Sequence, residues 1–405
     1  MSAGPSLHSM HRAERQAPRS RAQRIAYFVP LILLLIAVLV MTLIGVGAKR
    51  AMQAEAARIQ QSVLGQESQQ SSLPQMCVSE GFSTGAVDIW TGPKTASSDA
   101  EYAMHTEVQG MRVQGRDGFD FWGDEQSHNF SQALGRAPWL DEQLAQWITY
   151  FSDLDARLQQ DGRDLVIVVV PAKWELYREK LPEWTDDLQG KTHLDQFLER
   201  SGDLPIVDVR EAMQVAKRNA PVYSAVNTHW SPYGAYAAWQ QIVGCAADLY
   251  PESVWQRIQI PEASEVTIDV APNEFVPYGN TSSAEDWAVP TLTGLDSVRS
   301  RITASDGTAV PGPTDGSVGL LDMPAKTESD SGTGRALIMR DSTGEALAPI
   351  WASTFQTTCQ ERHNLDYPGN RPDVVDQART CDADTVLFAF TERYFAQSPP
   401  LPFTG

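Results

Sequence analysis

Histidine and cysteine are scarce in this chain, and their spacing argues against metal chemistry. Its 405 residues hold seven His and four Cys (Cys77, Cys245, Cys359 and Cys381). No CxxC pair occurs and no His stands at ligand spacing from a Cys, so neither a metal site nor a cofactor is expected. The even number of cysteines suits two disulfides in an oxidising compartment. Cys359–Cys381 is the local pair and would leave Cys77–Cys245, although four cysteines allow three connectivities. Basic residues are also few, with 32 Lys and Arg against 51 Asp and Glu and a net charge of −19. The first 24 residues carry five Arg and one Glu, which leaves −23 on the remainder. A field of that sign repels nucleic acid and anionic lipid, so neither is an expected partner. Internal repeats are absent.

Charge is missing altogether from Ile25 to Ala48, where Leu, Ile and Val dominate. As a helix this run covers roughly 30 Å, enough to cross a bilayer. Five Arg precede it and only Lys49 and Arg50 follow before the chain turns acidic. That bias places the N-terminus in the cytoplasm and the bulk of the chain outside it. A cleaved signal peptide is the alternative, but Lys49-Arg50 sits where a small-residue cleavage site belongs. The reading is a basic tail over 1–24, a transmembrane helix over 25–48 and a polar stalk over 49–100. An extracytoplasmic domain then fills 101–405.

That domain alternates helices and strands. Residues 139–162 place Leu140, Leu144, Trp147, Ile148, Phe151, Leu154 and Leu158 at three- and four-residue spacing, which predicts an amphipathic helix ending at Gly162. DLVIVVVP (164–171) is a short unbroken β-branched run, the pattern of a strand buried on both faces. LPIVDV (204–209), RALIMR (335–340) and DTVLFAF (384–390) repeat the motif, each with a helical segment behind it. The fold class expected is α/β, a three-layer sandwich around a mostly parallel sheet. Residues 251–333 are rich in Pro, Gly, Ser, Thr and Asp and read as a loop-rich or β insertion.

Ligands of open α/β sheets sit beyond the carboxyl ends of the strands. Two such places hold catalytic residue types. Asp341-Ser342 follows RALIMR directly, where a Ser is exposed and nearby backbone N–H groups can hold an oxyanion. An Asp-Ser at that point is also a common helix cap. Asn227-Thr228-His229-Trp230 precedes a helix opening at Ser231-Pro232, and a His two residues after a hydrogen-bonding side chain suits a general base.

The order of GRDGFDFWGD (115–124), VIVVVPAKWELYREKLP, VYSAVNTHWSPYGAYAAW, RDST and VLFAFTERYF resembles the alginate O-acetyltransferase group. This is the AlgX/AlgJ-like, DHHW-type family, whose domain is SGNH-hydrolase-like. The resemblance covers roughly 110–250 and 335–396. It implies Ser342 as nucleophile, Asp341 before it, and His229 as base, with Trp230 completing an Asp-x-His-Trp element. Asn227 stands where the family has Asp, Arg340 where it has Gly, and Thr343 where it has Phe. Asn227 can hold the imidazole but cannot supply charge, and in a serine-protease triad Asp→Asn costs about 10⁴ in rate. Asp208 is a conceivable substitute carboxylate. Arg340 could meet an anionic substrate. Lys173 and Arg393 match family positions as ion-pair anchors or substrate contacts, and Trp122, Trp174, Trp230 and Trp239 could stack on sugars or pack the core.

The function implied is membrane-anchored O-acetyl transfer to an extracytoplasmic polysaccharide, cell-wall glycan or glycolipid. The donor ester would come from a membrane acyl-donor partner, with the domain periplasmic or at the cell surface. The alternatives are an esterase or deacetylase of the same fold, or a non-catalytic glycan-binding factor with a degenerate triad.

Overall fold

A computed structural model describes Cys77, Ala100, residues 102–136 and residues 141–400 except 187, 189, 296, 305 and 306. The apolar run 25–48 and most of the stalk lie outside the described residues. Among the described residues no helix is long and apolar enough to cross a membrane.

In chain order the elements begin with the hairpin β1 (Arg112–Gln114) and β2 (Asp120–Trp122), then α1 (Asn129–Ala133) and α2 (Asp141–Gln160). Next come β3 (Asp164–Val170), α3 (Lys173–Leu176), α4 (His193–Arg200), β4 (Ile206–Val207), α5 (Arg210–Lys217) and α6 (Pro232–Leu249). The inserted segment supplies β5 (Glu262–Asp269), β6 (Trp287–Thr293), β7 (Arg299–Thr303), β8 (Ala309–Pro311) and β9 (Ala325–Glu328). The chain closes with β10 (Arg335–Arg340), α7 (Ala348–Thr354), β11 (Thr357–Arg362), α8 (Val374–Cys381) and β12 (Thr385–Thr391).

Eight strands form one sheet in the order β4-β3-β12-β10-β11-β9-β7-β8. The alternation of side chains along a strand splits each central one between two cores. Val166, Val168 and Val170 of β3, Ile338 of β10 and Leu387 of β12 face α5, α6 and α7. Leu165, Ile167 and Val169, with Leu337, Met339, Val386 and Phe388, face α2, α4 and α8. This two-sided burial is why the strands read as unbroken apolar runs, and it yields the three-layer sandwich. In α2 the side chains of Leu144, Trp147, Phe151, Leu154 and Leu158 are buried at the expected spacing. The helix stops because Gly162 adopts φ +70°, letting Arg163 N–H return to the Leu158 carbonyl.

The sheet is mixed rather than mostly parallel. Pairings among β4, β3, β12, β10 and β11 are parallel. The pairings of β9 with β11, β7 with β9 and β7 with β8 are antiparallel. The parallel part needs helical crossovers, whereas the inserted strands are joined without an α-helix between them, which allows reversal. The Pro- and Gly-rich composition of 251–333 concealed this, because its strands are short and largely exposed. Both expected disulfides are present: Cys359–Cys381 ties β11 to α8, and Cys77–Cys245 anchors Cys77 to α6.

Asp208 belongs to a structural network and does not approach His229's ring. Its carboxylate accepts from Arg210 Nη2 at 3.0 Å, while Arg210 Nη1 donates to Asp195 at 2.8 Å and lies 3.8 Å from Glu175. Replacing Arg210 by Leu strips these buried carboxylates of a shared cation. A loss of roughly 3 kcal/mol in folding free energy is expected, measured by urea unfolding.

Candidate active site

The loop that carries His229 is built by a backbone reversal ahead of α6. Tyr223 and Trp230 form a bridge, and Ser231 N–H donates to the Val222 carbonyl at 2.8 Å. Ser231 Oγ then accepts from Gly234 N–H and caps α6, with Pro232 in the first turn. A Cβ on Gly234 would lie 2.6 Å from the Val222 carbonyl, so only glycine lets the helix sit this close to the loop.

Ser342 opens a turn of 3-10 helix where β10 ends. Asp341 fixes that turn. One carboxylate oxygen accepts Thr343 N–H at 2.8 Å and also bonds the Thr343 hydroxyl. The other accepts Thr391 N–H at 3.0 Å and the Thr391 hydroxyl at 2.8 Å, joining the turn to the end of β12. Burial alone would raise this carboxyl, yet His363, Arg393 and Thr343 hold it well below the usual range. Asp341 therefore fastens the Ser342 turn rather than supporting the base.

The two pieces meet. Nε2 of His229 lies 2.8 Å from Ser342 Oγ, and both side chains are part-exposed. Trp230 is buried and its indole N–H donates to the Thr343 carbonyl at 2.7 Å, which clamps the histidine loop to the serine turn. Trp174 and Trp239 are buried in the core, so of the four Trp residues only Trp122 remains at the site's rim. Its indole N–H donates to Thr228 Oγ1 at 3.0 Å, and its ring packs edge-on to Tyr278, which is exposed.

On its other side His229 pairs with a carboxylate that sequence reasoning missed. Nδ1 contacts Glu274 Oε1, from the inserted segment. Glu274 Oε2 accepts Thr228 N–H at 2.8 Å and the Thr228 hydroxyl at 2.5 Å. Asn227 Oδ1 is farther from Nδ1, at 3.3 Å, and accepts His229's backbone N–H at 2.8 Å. Burial works against the imidazolium, but the hydrogen bond and charge of Glu274 outweigh it and raise His229's pKa. Glu274 is itself raised by burial but pulled down to about 2, chiefly by His229 and then Thr228. No motif marks Glu274, since only the tertiary fold brings it to the ring.

The remaining expected site residues lie at different depths. Arg340 does not reach a substrate: it is fully buried and donates to the Gln360 side chain and to the carbonyls of Asp341 and Val318. Its path explains Gly344, where a Cβ would lie 2.3 Å from Arg340 Cδ. Lys173 is buried and meets the carbonyls of Ser224 and Ala225 at 3.1 and 3.0 Å, bracing the histidine loop instead of forming an ion pair. Burial lowers its pKa to about 7. Arg393 is half-buried and borders, with Trp122, Lys173, Thr228 and Thr391, a recess of about 20 Å³.

With Nδ1–H directed to a carboxylate, neutral His229 presents Nε2 as an acceptor for the Ser342 hydroxyl. Such an arrangement can activate a serine hydroxyl as a nucleophile. A protonated His229 cannot serve, and its pKa is raised. Labelling of Ser342 by a fluorophosphonate is therefore expected to increase with pH, with a midpoint higher than that of a free imidazole, and to vanish in Ser342→Ala and His229→Ala.

Residues 113–263 match the family described as an SGNH hydrolase-like domain of acetyltransferase AlgX. The matched span includes His229 and stops before Glu274 and Ser342. Among known proteins, the chain is similar to the probable alginate O-acetylase AlgJ of Pseudomonas putida, 31% identical over 35% of each chain. It also resembles AlgJ of Pseudomonas syringae pv. tomato, 26% identical over 42% of this chain and 47% of the relative. The chain thus spans less than half the length of these relatives. Among solved structures, Bacillus cereus PatB1 with a sulfonyl adduct is 16% identical at TM-score 0.49, covering 62% of this chain and 89% of that one. The O-acetyltransferase domain of Pseudomonas putida AlgJ is 18% identical at TM-score 0.45, covering 72% and 94%. The AlgX/AlgJ relationship implied by the motif order is thus found by direct comparison.

Proposed function

We propose that this chain is an O-acetyltransferase that modifies hydroxyl groups of a polysaccharide, cell-wall glycan or glycolipid outside the cytoplasm. The contact of 2.8 Å between Ser342 Oγ and His229 Nε2, at the carboxyl end of β10, carries the reading. Similarity to proteins named alginate O-acetylases supports acetyl as the group transferred.

Ser342 Oγ attacks the carbonyl of a donor acetyl ester while His229 takes its proton. The tetrahedral adduct collapses, the donor alcohol leaves with that proton, and an acetyl-serine remains. An acceptor hydroxyl then gives its proton to His229 and attacks the acetyl group. Ser342 leaves as the alcohol and recovers the proton. The first backbone N–H of the Ser342 turn, unpaired within a helix at that position, is suited to the oxyanion. The run 25–48 would hold the domain at the membrane, beside a membrane partner that passes acetyl groups outward.

The acceptor we favour is uncharged. A net −23 beyond residue 24 repels a polyuronate, and the exposed Tyr278 beside Trp122 offers an apolar face to a sugar ring.

In cells, Ser342→Ala is expected to abolish acetylation of the glycan, read as acetyl ester signals by NMR of the purified polymer. Full acetylation in that variant would end the proposal. With purified protein and an aryl acetate donor, neutral oligosaccharides should be acetylated faster than uronate oligosaccharides. Added salt should narrow the gap, because screening weakens the repulsion. A preference for the uronate at low salt would contradict an uncharged acceptor.

A further inference from the structure

We infer that Glu274, carried by the inserted segment, is the positioning acid of the Ser342–His229 pair, and that Asn227 has become an amide brace for it. The inference rests on the proposed acyl transfer and assigns its third member.

Three observations converge. The Asp-x-His-Trp pattern implies an acid two residues before the histidine, and here that position is Asn227. In its place a carboxylate from residues 251–333 contacts His229 Nδ1. Asn227 turns its amide the other way and donates through Nδ2 to the Pro272 carbonyl at 2.7 Å, two residues before Glu274. The donor–acceptor arrangement is therefore complete: the amide holds the acid's loop, and the acid holds the ring.

The inserted segment grips the histidine loop along its length. Glu274 N–H donates to the Val226 carbonyl at 3.1 Å, and Ala225 N–H donates to Asp286 at 2.6 Å. The same segment answers the second departure from the family pattern, since the Val318 carbonyl accepts from the buried Arg340 guanidinium. Asn227 and Arg340 thus have partners in one insertion, and a decaying site would not supply them.

The charged groups facing the ring are Glu274 and Asp341, which favour its protonation, and Arg393, which opposes it. Lys173 and Arg393 also face Glu274. Removing the Glu274 charge should therefore lower the histidine's pKa as well as free its ring.

The test uses hydrolysis of p-nitrophenyl acetate by the purified protein, which reads serine activation whatever the natural acceptor. Glu274→Gln should reduce kcat by on the order of 10²–10⁴-fold, as loss of a triad acid does, with KM little changed. The acidic limb of its pH profile should move to lower pH. Asn227→Asp added to Glu274→Gln should recover at least about tenfold in kcat and return the limb toward its original position. A merely structural Glu274 would give neither the pH displacement nor the rescue. Glu274→Gln with kcat and pH limb as in the wild type overturns the inference while leaving the Ser–His reading intact. A wild-type protein with no more turnover than Ser342→Ala overturns both. If Glu274→Gln is misfolded by circular dichroism, Glu274→Asp and the double variant decide. A folded double variant without recovery counts against the inference.

Discussion

In the proposed reaction His229 takes a proton from Ser342 most readily while its own Nδ1–H is held by an acceptor that tolerates the resulting positive charge. Much of the domain's architecture follows from meeting that need across three separate segments. The proposed base sits on a loop before α6, the proposed nucleophile follows β10, and the carboxylate comes from the insertion. Their distances are fixed by surrounding hydrogen bonds as well as by the reacting groups themselves. The Trp230 indole bonded to the Thr343 carbonyl sets the spacing between base and nucleophile. Thr228, bonded to Glu274 through both N–H and hydroxyl, sets the spacing between base and acid. Since Trp122 donates to that same hydroxyl, the β2 strand is coupled into the arrangement.

Burying charge so close to the sheet is costly unless each charge is met by hydrogen bonds. Asp341 meets this by accepting from Thr343 and Thr391, each through backbone and hydroxyl. Among the described residues Arg340 makes no close ion pair and relies on two carbonyls and the Gln360 side-chain oxygen, with the charges of Glu345, Asp341 and Asp322 acting on it from farther off. Burial lowers its pKa to about 10, leaving it charged at neutral pH. Its side chain occupies the space that Gly344 leaves free. A residue at 340 larger than the glycine of the family this chain resembles is thus accommodated inward.

The sheet and its flanking helices were legible because burial on both faces leaves a direct imprint, as in DLVIVVV and the three- and four-residue spacing of α2. His229 and Ser342 could be nominated because each stands at the end of an element, but caps use the same positions, and the motif order of the resembled family was what singled them out. The inserted strands were legible only as a loop-rich or β segment, because β7 and β8 are short and largely exposed, so their composition resembles loop. Glu274 was invisible for a different reason. Its role comes from contact with residues distant in sequence, and nothing local separates it from the many other acids of this acidic chain. Arg340 and Trp230 stand close to Ser342 and His229 in the chain, but side-chain direction decides their contacts, and position in the sequence alone does not set that direction.

Asn227 is better understood as a requirement of Glu274 than as an injury to the site. Two carboxylates sharing one imidazole nitrogen would repel, and one would be driven to take up a proton. A protonated acid no longer supports the charge on His229. An acid at 227 would also set an oxygen against the Pro272 carbonyl, where the amide now donates at 2.7 Å. Once the inserted segment delivers Glu274 to the ring, the position two residues before His229 is best filled by a neutral side chain that both accepts and donates. Asn does both: Oδ1 takes the His229 backbone N–H and Nδ2 holds the Pro272 turn. The acid and the amide are therefore one arrangement, and a site with both positions acidic or both neutral would be the impaired one.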